Sequence, residues 1–134
     1  MRYLLDTNIC IYVIKQRPIH VLQRFYQEDT AQIGLSSISL FELQYGVSKS
    51  SKPEQNATAL QAFILPLMIL NFDQETAVHA GIIRAQLEQQ GQIIGAYDLL
   101  IAAHALQHNL VLVSHNVKEF QHVPNLKLEN WVTV

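Results

Sequence analysis

Sulfur is nearly missing from this chain. A single cysteine, Cys10, stands in 134 residues, which excludes an intramolecular disulfide framework and a cysteine-rich zinc site. Flanked by Ile9 and Ile11, it reads as a small packed apolar side chain rather than a catalytic thiol. Glycine and proline are sparse, with five and four residues, so low-complexity and collagen-like chains are excluded. Charge is sparse as well: 15% of residues are charged against 49% hydrophobic, the reverse of a disordered composition. There is no basic surplus, because 11 acids against nine Lys plus Arg leave a net charge of −2. Proteins that coat nucleic acid carry the opposite balance, although an enzyme that meets phosphate through a metal ion is not excluded by it. Long apolar runs are absent too. A long uncharged stretch, Gln55 to Phe72, is interrupted by Gln, Asn, Thr and Pro66, whereas a membrane helix wants about 20 mostly apolar residues. Asp6 falls where the apolar core of a secretory signal would continue, so a cytoplasmic protein without membrane association is expected.

What is present is an alternation of short apolar runs and helical periodicities, in a length suited to one domain over 1–134. Tyr3-Leu4-Leu5 reads as a buried strand, and Asp6-Thr7-Asn8 as the start of a helix running toward Arg17-Pro18. A second helix follows Pro18, with Val21, Leu22 and Phe25 on its apolar face. Ala31 to Leu35 predicts a strand, and Ser36-Ser37 caps a helix carrying Ile38, Phe41 and Tyr45. Val47 to Pro53 reads as a polar connector, followed by a helix from Glu54 that Pro66 ends. Leu67 to Leu70 predicts a strand, Asp73 opens a long helix, and Gly91 stops it. The apolar Leu99–Leu106 segment predicts a central buried helix ended by Asn109. Leu110 to Val113 is a strand, a short helix follows to about Phe120, and Leu126 to Leu128 reads as an edge strand. Strands that alternate with helices, and are apolar throughout, predict an α/β layer fold with a mainly parallel sheet covered on both faces.

In such sheets ligands bind beyond the carboxyl ends of the strands, so the residues just after each strand are the informative ones. Asp6 follows the first strand, and Ser114-His115-Asn116 with Glu119 follow the last clear one. Glu42 lies one turn into the helix after the second strand, and Asp98 starts the most buried helix. Taken singly, each has a plain structural role open to it: Asp6, Asp98 and Asn116 as helix caps, Glu42 and Glu119 as solvated helix charges. Taken together, the topology directs at least three acids to one end of the sheet. Converging carboxylates raise one another's pKa and oppose folding unless a cation joins them. Oxygen ligands without cysteine favour Mg²⁺ or Mn²⁺ over zinc, and such an ion can activate water against a phosphodiester. The six His residues show no ligand spacing, and His104 reads as a satisfied core residue. No glycine-rich phosphate loop and no nucleophile elbow is present.

The segments LLDTNICIYVIK, SSISLFELQYGV, IGAYDLLIAAHA and LVLVSHNVKEF, in this order and spacing, resemble a PIN domain, and more closely a VapC-type toxin of a bacterial toxin–antitoxin pair. The resemblance covers essentially the whole chain. It implies a three-layer α/β/α sandwich and a Mg²⁺-dependent endoribonuclease, with Mn²⁺ a plausible substitute. It implies that Asp6 and Asp98 are metal ligands and that Glu42 is a further ligand, direct or through water. It implies that Thr7 supports Asp6 by hydrogen bonding and that Ser114 lines the same pocket. Many members carry a fourth acid where this chain has Asn116; Glu119, one helical turn on, is the candidate to supply that charge. The resemblance further implies a cytoplasmic homodimer, inhibition by a VapB-type antitoxin, and a structured RNA substrate, often tRNA near the anticodon and in some members initiator tRNA.

Two other readings stand beside this one. A phosphoryl-transfer domain of similar layering would need a second Asp at the place of Asn8, or an acidic pair after the first strand, and a Lys after a late strand; neither pattern is found. A PIN-like binding module with weakened catalysis is argued against by Asp6, Glu42 and Asp98 and kept open by Asn116.

Overall fold

A computed structural model describes residues 1–132. The elements are β1 (Tyr3–Leu5), α1 (Thr7–Lys15), α2 (Ile19–Gln27), a 3₁₀ turn (Thr30–Gln32), β2 (Ile33–Ser36), α3 (Ser37–Lys49), α4 (Pro53–Ile64), β3 (Met68–Leu70), α5 (Gln74–Gln89), α6 (Ala96–Gln107), β4 (Val111–Val113), α7 (Val117–Phe120) and β5 (Lys127–Glu129). The strands form one sheet in the order β3-β2-β1-β4-β5. Every adjacent pair is parallel, so the sheet is wholly rather than mainly parallel.

The helices that follow β1, β2 and β3 begin on side-chain caps. Asp6 Oδ1 accepts the Ile9 N–H at 2.9 Å, Ser36 Oγ the Ile38 N–H at 3.0 Å, and Asp73 Oδ1 the Thr76 N–H at 2.9 Å. Each satisfies a donor that the first helical turn leaves without a partner. At the other end of α5, Gly91 adopts φ +72, a conformation that costs residues with a Cβ, and the helix stops there as expected.

Alternation along β1 divides the core in two. Tyr3 and Leu5 pack with Ile9, Val13, Val21, Phe25, Leu43 and Leu60 from α1 to α4. Leu4 packs on the opposite face with residues of α5, α6 and α7 such as Ile83, Leu87, Ile101 and Phe120. Two helical layers over one sheet make a three-layer sandwich, and this is why the strands carry no polar alternation. Cys10 is buried in the first cluster, and burial pushes its thiol well above the ordinary range.

Four local expectations are corrected. Ala31 and Gln32 belong to a 3₁₀ turn, because the Asp29 carboxylate accepts the Ala31 N–H at 2.9 Å and curls the chain before β2. Helix α3 continues through Lys49 and takes the first residues of the expected connector, since Val47 packs against the core. Asp98 is not a cap: Gly95 holds that position, and Asp98 lies within the first turn of α6. His104 is buried with Nδ1 2.8 Å from Ser36 Oγ, but among the described residues Nε2 has no hydrogen-bond partner, so only one ring nitrogen is satisfied there. Desolvation holds this imidazole neutral, with its pKa lowered to about 4.

Candidate active site

The order of strands across the sheet reverses between β1 and β4: β2 and β3 lie to one side of β1, β4 and β5 to the other. Doubly wound sheets open a crevice at that point, beyond the carboxyl ends of the strands. The register pairs Leu5 with Val113, so Asp6 and Ser114 emerge next to each other. The Asp6 N–H donates to the Val113 carbonyl at 3.0 Å, and the Ser114 N–H to that of Glu129 at 3.0 Å, which pins both turns to the sheet.

Asp6 is 4% exposed and Ser114 fully buried. Burial raises the Asp6 pKa above the usual carboxylate value; the neighbouring Ser114 hydroxyl and the Ile9 N–H act against this, while the negative charge of Glu42 reinforces it. Asp6 therefore does two things at once. It caps α1, the plain role open to it from sequence, and it faces the crevice within the field of a second acid.

Glu42 reaches the crevice from the middle of α3, half-buried. Its Oε1 accepts the Thr7 hydroxyl at 2.6 Å, and Thr7 Oγ1 also lies 3.2 Å from the buried Ser39 Oγ. Among the described residues, the hydroxyl expected to support Asp6 is thus bound to Glu42. The reason is positional: Thr7 is the first residue of α1, and its Oγ1 faces α3 while the Asp6 carboxylate turns back to the α1 backbone. Ser39 was not foreseen. Its signal is the spacing to Glu42, since residues three apart share a helix face.

Asp98 enters from α6 and Glu119 from α7. Glu119 is no free surface charge: Oε1 accepts the Gly95 N–H at 2.6 Å and Oε2 the Asn116 amide at 2.5 Å. Asn116 begins α7 without a side-chain cap and bonds Glu119 through its amide, while its own N–H donates to Ser114 Oγ at 2.9 Å. The Asp98 pKa is raised to about 7, first by burial, then by the charge of Glu119, then by Asp6, a hydrogen bond with Glu119, and Glu42. Four acids from four distant segments thus share one field. Among the described residues none of the four forms an ion pair with Lys or Arg. Nor are any three His, Cys, Asp or Glu side chains already closed into a geometry that could hold a metal ion. Mutual repulsion and the hydrogen bonds of Glu42 and Glu119 to their own surroundings account for carboxylates that neighbour one another without converging.

A model of the family described as PIN domain matches residues 3–126. The chain is 47% identical over 132 residues to Ribonuclease VapC2 of Haemophilus influenzae, covering 98% of this chain and 99% of the relative. It is 42% identical over 131 residues to the tRNA(fMet)-specific endonuclease VapC of Salmonella typhimurium, covering 98% of each. Among solved structures it is similar to VapBC2 from Rickettsia felis bound to a DNA fragment from their promoter, with TM-score 0.91, 47% identity and coverage of 98% and 99%. A wholly parallel sheet between two helical layers, acids gathered at its switch point and full-length likeness to these ribonucleases lead to one assignment: the chain belongs to the PIN-domain family, among its VapC-type ribonucleases.

Proposed function

We propose that residues 1–134 act as a single PIN-like domain that cleaves tRNA, with initiator tRNA cut in the anticodon region as the specific target, and that Mg²⁺ is the working ion and Mn²⁺ a substitute. The observation that carries this reading is the shared field of Asp6, Glu42, Asp98 and Glu119 at the β1/β4 crevice, without a resident Lys or Arg among the described residues. The donor set is all oxygen and anionic, which fits a hard divalent cation. Asp6 and Asp98 would hold it, with Glu42 joining directly or through water; Thr7, Ser114, Asn116 and Glu119 support them. When bound, the ion supplies positive charge to the phosphodiester and acidifies water.

The chain's own residues do the rest. Asp6 is held by the Ile9 N–H on its carboxylate and by its own N–H on the Val113 carbonyl, so its carboxylate needs little reorganisation. The Thr7 hydroxyl fixes one Glu42 oxygen and leaves the other to accept a proton or hydrogen bond from the attacking water. Asp98, with its pKa raised to about 7 by burial and by the neighbouring acids, carries a proton part of the time near neutral pH and would give it up to a cation. Water attack on phosphorus with departure of the 3′ oxygen leaves a 3′-hydroxyl and a 5′-phosphate. Unpaired loop nucleotides are the accessible substrate, since they can be splayed into a crevice.

The relatives' names support tRNA as substrate, and the VapBC complexes support a VapB-type antitoxin as partner. A homodimer and a cytoplasmic location, where tRNA is met, complete the proposal. The test is cleavage of tRNA by the antitoxin-free chain with Mg²⁺ or Mn²⁺, followed by sequencing of the ends. Chelator should abolish it. Cleavage persisting in chelator, or 2′,3′-cyclic phosphate ends, would overturn the metal route.

A further inference from the structure

Beside the carboxylates lies a second cleft whose chemistry is the opposite. It has a volume of about 450 Å³ and is lined by Asn8, Tyr12, His115, Asn116, Val117 and Lys118. No acid lines it. Asn8 and Tyr12 are four residues apart on α1 and so share a face, and Asn8 is two residues beyond Asp6. On the other wall, Asn116 contacts Glu119, and the imidazole of His115 acts on the Asp6 charge. The cleft therefore lies beside the crevice, its wall at Asn116 touching Glu119.

A polyanion faces a difficulty at this site. Its scissile phosphate must approach four carboxylates on a chain of net charge −2. Binding energy has to come from groups that flank the acids. Tyr12 is half-buried and packed at the core edge, which makes it a fixed aromatic surface on which a base can stack. Lys118 is exposed, and among the described residues it forms no ion pair, so its ammonium is available to a phosphate. Asn8 offers a whole amide. Asn116 offers its amide oxygen, its nitrogen being engaged by Glu119. An aromatic face, two amides and one cation in a cleft of this volume are the donor set of a single unpaired nucleotide.

We infer that the Asn8–Tyr12–Lys118 cleft is a subsite for the unpaired nucleotide next to the scissile phosphate, with Tyr12 stacking on its base and Lys118 meeting its phosphate. The inference rests on the ribonuclease reading above and adds to it where the substrate chain is gripped. Tyr12 and Lys118 are binding residues, separate from the carboxylates that carry the chemistry.

The full chain, freed of antitoxin, tests this in two ways. In steady-state tRNA cleavage, Tyr12→Ala should raise KM about tenfold and Lys118→Gln about threefold, with kcat little changed and Tyr12→Phe close to the parent. Unaltered KM in both Tyr12→Ala and Lys118→Gln, or losses confined to kcat, would overturn the subsite. Because Tyr12→Ala touches the core edge, the exposed Lys118→Gln serves as the variant whose folding is not at issue. The second arm uses a fluorescein-labelled single-stranded hexaribonucleotide in chelator and reads anisotropy, so it needs no cleavage. If the parent cuts no tRNA, the ribonuclease reading fails while this arm still decides the subsite: hexanucleotide binding that Tyr12→Ala weakens supports it, and absent or unaltered binding refutes it. Variants that weaken only a bound antitoxin, with RNA binding intact, would give the cleft to a protein partner and overturn the proposal.

Discussion

Two charged clusters in this molecule solve the same electrostatic problem in opposite ways. Arg24 on α2 donates to Glu28, to Glu129 at 3.0 Å and to the Tyr3 hydroxyl at 3.2 Å, and lies 4.9 Å from the Trp131 ring centre. Its guanidinium holds the Glu28 carboxyl below the usual range. At the β1/β4 crevice no such cation is built in among the described residues, and the Asp98 pKa rises to about 7. The first cluster is closed and complete. The second keeps its repulsion unresolved, which lowers stability in the free chain and favours whatever cation arrives.

The sharpest way to break this contrast is to neutralise one acid. Asp6→Asn or Asp98→Asn should reduce tRNA cleavage at least about a hundredfold, read as initial rates with Mn²⁺. Equal cutting would remove these residues from the chemistry. In chelator, Asp6→Asn should leave the melting temperature unchanged or higher, because Asn caps α1 as well as Asp and relieves repulsion, whereas Asp6→Ala should cost about 1 kcal/mol by losing the cap. Glu119→Gln should lower cleavage about tenfold, as the loss of a supporting partner does; full activity would leave Glu119 a structural contact only.

On the other side, Arg24→Ala should leave cleavage unaltered. It should destabilise by about 1 kcal/mol, a drop of a few degrees in thermal melting, since these partly exposed pairs are screened and the lost packing on Trp131 adds to them. The smallest effect is a pH slope. A carboxyl with a folded pKa near 7 binds a proton that the unfolded chain has already released above its model value of 3.8, so between these values the native state holds more protons and stability falls as pH rises. In chelator the melting temperature should therefore decline from about pH 5 to pH 8, and Asp98→Asn should flatten the decline. A slope that persists in that variant would assign it elsewhere.

Much of the fold was legible because it rests on local rules. Apolar runs with no polar face announced strands covered on both sides, and Asp6, Ser36 and Asp73 marked the helix starts where the caps are found. The errors were also local. Asp29 turns Ala31 and Gln32 into a 3₁₀ helix, and a polar-looking Val47–Lys49 is helical because Val47 meets the core. At the site, position after the strands and at helix starts brought forward Asp6, Glu42, Asp98 and Glu119, and the PIN-domain resemblance gave them their expected roles. Neither could say that Thr7 would serve Glu42, or that Glu119 would lie against Gly95 and Asn116. Each of these bonds joins residues more than twenty positions apart or depends on which way a short helix faces.

By itself, then, the order of residues determined the alternation of strands and helices, the layered class and the set of acids at strand ends, because hydrophobic period and capping chemistry act within a few residues. Only the tertiary structure decided the β3-β2-β1-β4-β5 order that puts Asp6 beside Ser114, the hydrogen-bond partner of each acid, and the Tyr12–Lys118 cleft next to them. Strand order and side-chain direction follow from how two helical layers pack on the sheet, and that packing is a property of the whole chain.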